Sequence, residues 1–138
     1  NVKKGQFLSH REVENIILKI ENQNNNRILI TERGNSFGYN YLINDFKGVH
    51  FMKQFGYPIV FDSTHSVQLP GGMGIKSGGA REYVVPLSKS AASLRLAGFF
   101  IETHPNPEKA LSDGPNMMHL HNMPKLLNSI NKINKAAK

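Results

Sequence analysis

The sequence predicts an α/β fold in which parallel strands are covered by helices, and three observations predict it. Helix-like and strand-like segments alternate along all 138 residues. The strand-like segments are short and continuously apolar, as strands buried on both faces are. Each is closed by polar residues that a core does not require, namely Glu32-Arg33-Gly34, Asp62-Ser63-Thr64-His65 and Glu102-Thr103-His104. The carboxyl ends of parallel strands are where α/β folds build their sites.

Taken in order, Ser9, Glu12, Val13, Ile16, Ile17 and Ile20 predict a first helix. Ser9 is placed to cap its free amides while Glu12 reaches back, and the apolar residues then line one face. The helix fades in the polar stretch 21–26, and Arg27 to Thr31 reads as a strand. Residues 42–55 are helical for part of their length, until Gly56 and Pro58 break them; Ile59-Val60-Phe61 is the next strand. The run from 66 to 81, with Gly71, Gly72, Gly74, Gly78 and Gly79, is too rich in glycine for an element interior and reads as a loop. A helix is expected from Glu82 to Arg95, with Pro86 tolerated in its first turn, then a strand over Ala97 to Ile101. A last helix is expected at about 124–133, with Leu126, Leu127 and Ile130 turned inward.

Composition narrows the function. The absence of cysteine excludes a disulfide scaffold, a zinc-finger cysteine set and a thiol nucleophile within these residues. No apolar run approaches the roughly 20 residues that cross a bilayer, and residues 1–20 lack a signal-peptide core. The net charge of +7 is spread thinly, with Lys125, Lys132, Lys135 and Lys138 in the tail and Lys3-Lys4 the one adjacent pair. No basic stripe with interleaved aromatics marks a nucleic-acid surface, so neither a nucleic acid nor a membrane is an expected partner.

The chemistry is expected at the strand ends. His65, Glu102 and Asp113 offer one imidazole and two carboxylates, a donor set suited to Fe, Mn or Zn; the plainer alternative makes His65 a loop residue and Asp113 a turn cap. Lys4 and Arg33 are anion readers in the same sense, or else ordinary surface cations. His104, His119 and His121 are less informative, and Phe99 and Phe100 read as packing groups. The glycines match neither a Walker loop nor a dinucleotide fingerprint.

Five motifs in one register carry a resemblance. KKGQF at 3–7, TERGNSFGYN at 31–40, FDSTHSVQLPGG at 61–72, SGGAREYV at 77–84 and ETHPNPEKALSDGP at 102–115 resemble the 3-deoxy-D-manno-octulosonate 8-phosphate synthase family, over residues 1 to about 131. The resemblance implies a (β/α)8 barrel of roughly twice this length, of which residues 1–138 are the C-terminal half, strands five to eight, so that residue 1 falls within a motif. It implies a cytoplasmic homotetramer that condenses phosphoenolpyruvate with D-arabinose 5-phosphate and water, for lipopolysaccharide synthesis.

Residue by residue, it implies that Lys4 contacts phosphoenolpyruvate, Arg33 grips its phosphate, and His65 lies beside it. Together with Glu102 and Asp113, His65 would ligate a divalent metal. Gln6, Gln68 and the stretch from Ser77 to Arg81 are expected at the same mouth. A fourth ligand, cysteine, or asparagine in a metal-independent class, would belong to a first strand outside these residues; Ser112 points to the metal-dependent class. Related synthases acting on other sugars, or an inactive binding fragment, are the alternatives. Four βα units alone would leave open sheet edges and an apolar inner face.

Overall fold

The computed structural model describes residues 1–73 and 76–138, and for residues 71–73 and 76–77 only the backbone is described. In chain order the elements are β1 (Val2–Lys3), α1 (Val13–Glu21), β2 (Ile30–Glu32), β3 (Asn35–Ser36), β4 (Leu42–Ile43), α2 (Phe46–Met52), β5 (Ile59–Asp62), β6 (Gln68–Met73) and β7 (Lys76–Gly79). There follow α3 (Val84–Ala92), β8 (Gly98–Phe100), β9 (Thr103–His104), β10 (Met118–His119) and α4 (Met123–Ala136). Four strands form a parallel sheet in the order β1-β2-β5-β8, with a helix between each consecutive pair. The mixed α/β fold is the one expected.

Register decides which side chains share a face. Lys3 pairs with Thr31, Thr31 with Val60, and Val60 with Gly98; two residues further on, Asp62 pairs with Phe100. Because side chains alternate along a strand, Lys3, Thr31, Val60, Asp62, Gly98 and Phe100 share one face. Ile30, Ile59 and Phe61 occupy the other, where they pack with Val13 and Ile17 of α1 and Val49 and Met52 of α2. A second cluster joins Val67, Val84 and Ala92 to Met118, Leu126 and Ile130, so α3 and α4 cover the far end of the sheet. Each fully buried aliphatic or aromatic side chain contributes about 1.5–3 kcal/mol.

Three segments differ from the sequence expectation. The Ser9–Glu12 capping pair forms, with the Ser9 N–H donating to Glu12 Oε2 at 2.7 Å and the Glu12 N–H to Ser9 Oγ at 3.4 Å, yet α1 starts only at Val13. The residues between are turned by i→i+3 bonds, Glu12 N–H to Ser9 O and Glu14 N–H to Arg11 O, a tighter winding than the α-helix. Leu127, expected inward, is exposed, because the buried row of α4 runs Met123, Leu126, Ile130, Ile133 and the next residue lies about 100° around the axis. The glycine-rich stretch is a correction too. It is no loop but the antiparallel hairpin β6–β7, with an irregularity between Leu69 and Met73. Its glycines serve close approach, since a Cβ on Gly79 would collide with Asn116 Oδ1. Gly74 lies outside the described residues. Each of the three small two-stranded sheets follows the carboxyl end of a sheet strand: β3–β4 after β2, β6–β7 after β5, and β9–β10 after β8. The elaboration is all at one end.

Candidate active site

Lys3 and Lys4 leave the same short strand in opposite directions. The Lys3 ammonium lies 2.7 Å from Asp62 Oδ2, 3.1 Å from His65 Nδ1 and 4.0 Å from the centre of the Phe100 ring. Lys4 enters the helix-facing layer and is enclosed at 1% exposure. Its three N–H donors go to Gly5 O at 3.2 Å, Leu8 O at 3.3 Å and Asn35 Oδ1 at 2.5 Å, with Glu32 Oε2 at 3.6 Å. That corrects the expectation for Lys4, since an ammonium with no free donor cannot take hold of a substrate. The cation facing the strand-end carboxylates is Lys3. Strand alternation was the available signal: Val2 packs toward the helices, so the next side chain must face away from them.

Around Lys4 the charges are closed. Glu32 is fully buried and receives His10 Nε2 at 3.1 Å and the Gly34 N–H at 2.5 Å. Burial alone would raise its pKa, but the His10 hydrogen bond, the Lys4 charge and the Gly34 amide outweigh it and hold the carboxyl below its ordinary value. Burial pushes the Lys4 ammonium down against the opposing pull of Glu32. This network sits directly beneath Arg33 and fixes the turn that presents it.

At the end of β5, Asp62 is buried and accepts both the His65 backbone N–H, at 2.8 Å, and the His65 ring, with Nδ1 2.8 Å from Oδ2. Burial opposes ionisation of Asp62, yet the His65 ring, its backbone amide and Lys3 together hold the carboxyl below its ordinary value. An anionic Asp62 can only accept, which assigns the proton to Nδ1 and leaves Nε2 as a lone-pair donor. The D-x-x-H spacing on a tight turn is the sequence signal for this pairing, and Asp62 was not singled out from it.

His65 Nε2 points at two carboxylates, 3.4 Å from Glu102 Oε1 and 4.0 Å from Asp113 Oδ2. One donor atom from each of the three residues lies within 4.8 Å of the others. Ligands about 2.1 Å from a common ion stand roughly 3.0–3.5 Å apart; the His65–Glu102 pair is at that spacing, Asp113 would have to move inward, and the N,O,O chemistry fits a divalent metal. Charge argues the same way, because Asp62, Glu102 and Asp113 outnumber Lys3. Each ligand is anchored from behind: Glu102 donates its N–H to Thr64 Oγ1 at 2.7 Å, and Asp113 Oδ1 accepts Gln68 Nε2 at 2.9 Å. Asp113 holds a left-handed backbone, φ +52°, a conformation that aspartate tolerates better than most residues.

The other candidates divide. Arg33 is half-buried at the end of β2, donates Nη2 to Gln68 Oε1 at 2.6 Å, and among the described residues has no partner for its buried Nε. Gln68 therefore joins Arg33 to Asp113. Gln6 is tied to Ser36 instead, accepting its N–H at 3.0 Å. Arg81 clamps the stretch that carries Asp113, reaching Glu108 at 2.9 Å, Gly114 O at 2.6 Å and His119 at 3.2 Å. The Ser77 side chain lies outside the described residues. A separate apolar cavity of about 630 Å³, walled by Tyr41, Leu42, Phe46, Val67, Tyr83 and Leu87, touches this constellation only at Gln68.

Comparison with known proteins identifies the family. The chain is 51% identical over 138 residues to the 2-dehydro-3-deoxyphosphooctonate aldolase of Geobacter metallireducens, covering 100% of the chain and 51% of that protein. It is 50% identical over 130 residues to the same-named protein of Agrobacterium fabrum, 94% of the chain and 46% of the relative, and 49% identical over 138 residues to that of Brucella abortus, 100% and 50%. The chain thus spans about half the length of the curated relatives it matches. A family model described as the DAHP synthetase I family matches residues 1–138, and the chain belongs to that family.

Proposed function

We propose that this protein is a 3-deoxy-D-manno-octulosonate 8-phosphate synthase, joining phosphoenolpyruvate, D-arabinose 5-phosphate and water into the octulosonate and inorganic phosphate. The observation that carries the reading is the convergence of His65 Nε2, Glu102 and Asp113 beside Arg33 and Lys3. Relatives named 2-dehydro-3-deoxyphosphooctonate aldolase, at about half identity, support it.

Residues 1–138 then form strands five to eight of a (β/α)8 barrel. In support, β1 and β8 are edge strands, and Val60, Gly98 and Phe100 are only half-buried on the face away from the helices. Further βα units would cover that face and supply the groups that hold arabinose 5-phosphate. A cytoplasmic homotetramer serving lipopolysaccharide synthesis is part of the same proposal.

The chain's own residues have defined parts. Arg33 and Lys3 neutralise the anionic groups of phosphoenolpyruvate and stabilise charge as its C3 attacks the aldehyde carbon. Water adds at C2, and phosphate departs with the C–O bond. His65, Glu102 and Asp113 would hold the divalent ion, Fe, Zn or Mn, which when bound supplies Lewis acidity to an aldehyde or water oxygen. Asp62 keeps the His65 proton on Nδ1, so that Nε2 stays available. The test is incubation of the protein with both substrates, with and without a chelator, following phosphate and ulosonate. Product that falls on chelation is expected; no product from the metal-replete protein as its organism makes it overturns the proposal.

A further inference from the structure

We propose that Gln68 is a positioning residue that couples the anion held by Arg33 to the metal held by His65, Glu102 and Asp113. The inference rests on the function proposed above and adds a role to a residue that otherwise contacts neither reacting atom. The Gln68 amide accepts from Arg33 Nη2 at 2.6 Å and donates to Asp113 Oδ1 at 2.9 Å. A guanidinium only donates and an ionised carboxylate only accepts, so the amide has one orientation, oxygen toward Arg33 and nitrogen toward Asp113. Among side chains of this length, glutamine alone offers an acceptor and a donor on opposite sides of one rigid plane. Glutamate lacks the donor, methionine lacks both, and lysine lacks the acceptor.

Each end of the bridge removes a freedom. On the Asp113 side, Oδ1 is occupied, which leaves Oδ2 as the oxygen facing His65 Nε2 at 4.0 Å. Asp113 stands on a left-handed backbone in a stretch held by Arg81, and without the amide its carboxylate is free to rotate. On the Arg33 side, the bridge fixes the plane of the fork while Nε stays buried and, among the described residues, unpartnered. Gln68 itself is anchored where the tight turn bearing His65 passes into β6, so the bridge and His65 are registered to the end of β5. A ligand that orders either end orders the amide, and the second ligand then binds to a prepared partner. Such coupling is reciprocal and typically amounts to about 5–150-fold in affinity.

The test is a binding cycle on the protein as its organism makes it. Mn²⁺ affinity is measured by competition with a chromophoric chelator, with and without phosphoenolpyruvate. Phosphoenolpyruvate affinity is measured by calorimetry, with and without Mn²⁺. In the parent protein each ligand tightens the other by about 5-fold or more. In Gln68→Met both ratios fall to near one, and Mn²⁺ binding weakens by about 10–100-fold, the usual loss on removing a partner that orients a metal ligand. Gln68→Glu keeps the acceptor for Arg33 and loses the donor to Asp113. It retains phosphoenolpyruvate affinity in the absence of Mn²⁺ but still loses the coupling. Unchanged coupling ratios in both variants overturn the proposal. These readouts do not depend on turnover, so lost coupling in a protein that makes no octulosonate would sink the assigned reaction and leave this role standing.

Discussion

Two clusters in this molecule have nearly the same ingredients and opposite behaviour. Each holds a histidine, carboxylates and one lysine of the Lys3-Lys4 pair. Around Lys4, Glu32 and His10 lie in the helix-facing layer with the exposed Asp45 at its margin, and the Lys4 charge and the His10 hydrogen bond answer the buried carboxylate. Around Lys3, the carboxylates Asp62, Glu102 and Asp113 exceed the cations, and Nε2 of His65 faces two of them. Charge closure, not residue type, separates a structural network from a site that wants a further cation.

The sharpest way to break the comparison is to neutralise each lysine in turn. Lys4→Met leaves Glu32 buried with its main cation gone and is expected to cost about 3–5 kcal/mol in urea unfolding. Lys3→Met, at a part-exposed position, leaves the buried Asp62 its His65 ring and amide and should cost less, about 1–3 kcal/mol, while phosphoenolpyruvate affinity falls by about 10-fold or more with the loss of a charged donor. Equal stability losses would erase the distinction. Next in size, His65→Ala is expected to weaken Mn²⁺ binding by more than about 100-fold, beyond the range for an outer partner, whereas His10→Ala leaves Mn²⁺ binding within about 2-fold on the same competition measurement. Smaller again is Gly48→Ala, whose new Cβ would collide with the His10 ring; overpacking of about 1–3 kcal/mol should appear as a lower thermal midpoint with metal affinity unchanged.

The smallest effect is on pH. Glu32 is held below its ordinary 4.5 in the folded state, so the unfolded chain takes up its proton first on acidification. The stability it contributes is complete above that value and drains away as pH falls through the folded-state value. Lys4, His10, Asp45 and Arg33 all face or flank this carboxyl. A Glu32→Gln variant is expected to show a shallower loss of stability below pH 4.5 than its parent, read from urea midpoints across the acid range.

Much of this was legible in sequence order because apolar runs and their polar closures are local signals. The polar closures around Asp62 and Glu102 and the helix of Val13 and Ile17 need nothing beyond periodicity and topology, whereas the ligand set His65, Glu102 and Asp113 stands beside a plainer loop reading until the family resemblance favours it. What escaped was set by contacts across the fold. Alternation within Val2–Lys3 points to Lys3 only once Val2 is known to pack toward the helices, a contact made across the fold, and the expectation falls on Lys4 where Lys3 faces the site. The glycine-rich run forms a hairpin because Asn116, 37 residues after Gly79, packs onto it. His10 gave no sign of burial, because its partner Glu32 lies on another strand, 22 residues on.

The paired lysines also guard the alignment of β1. Sliding that strand by one residue in either direction leaves a carboxylate stranded. One direction brings Gly5 opposite Glu32, and the other turns apolar Val2 toward Asp62. Each slip is thus penalised in one layer, Glu32 guarding one direction and Asp62 the other, and a two-residue strand with few backbone hydrogen bonds of its own gains a unique seat. The same two charges that divide scaffold from chemistry also proofread the assembly of the sheet.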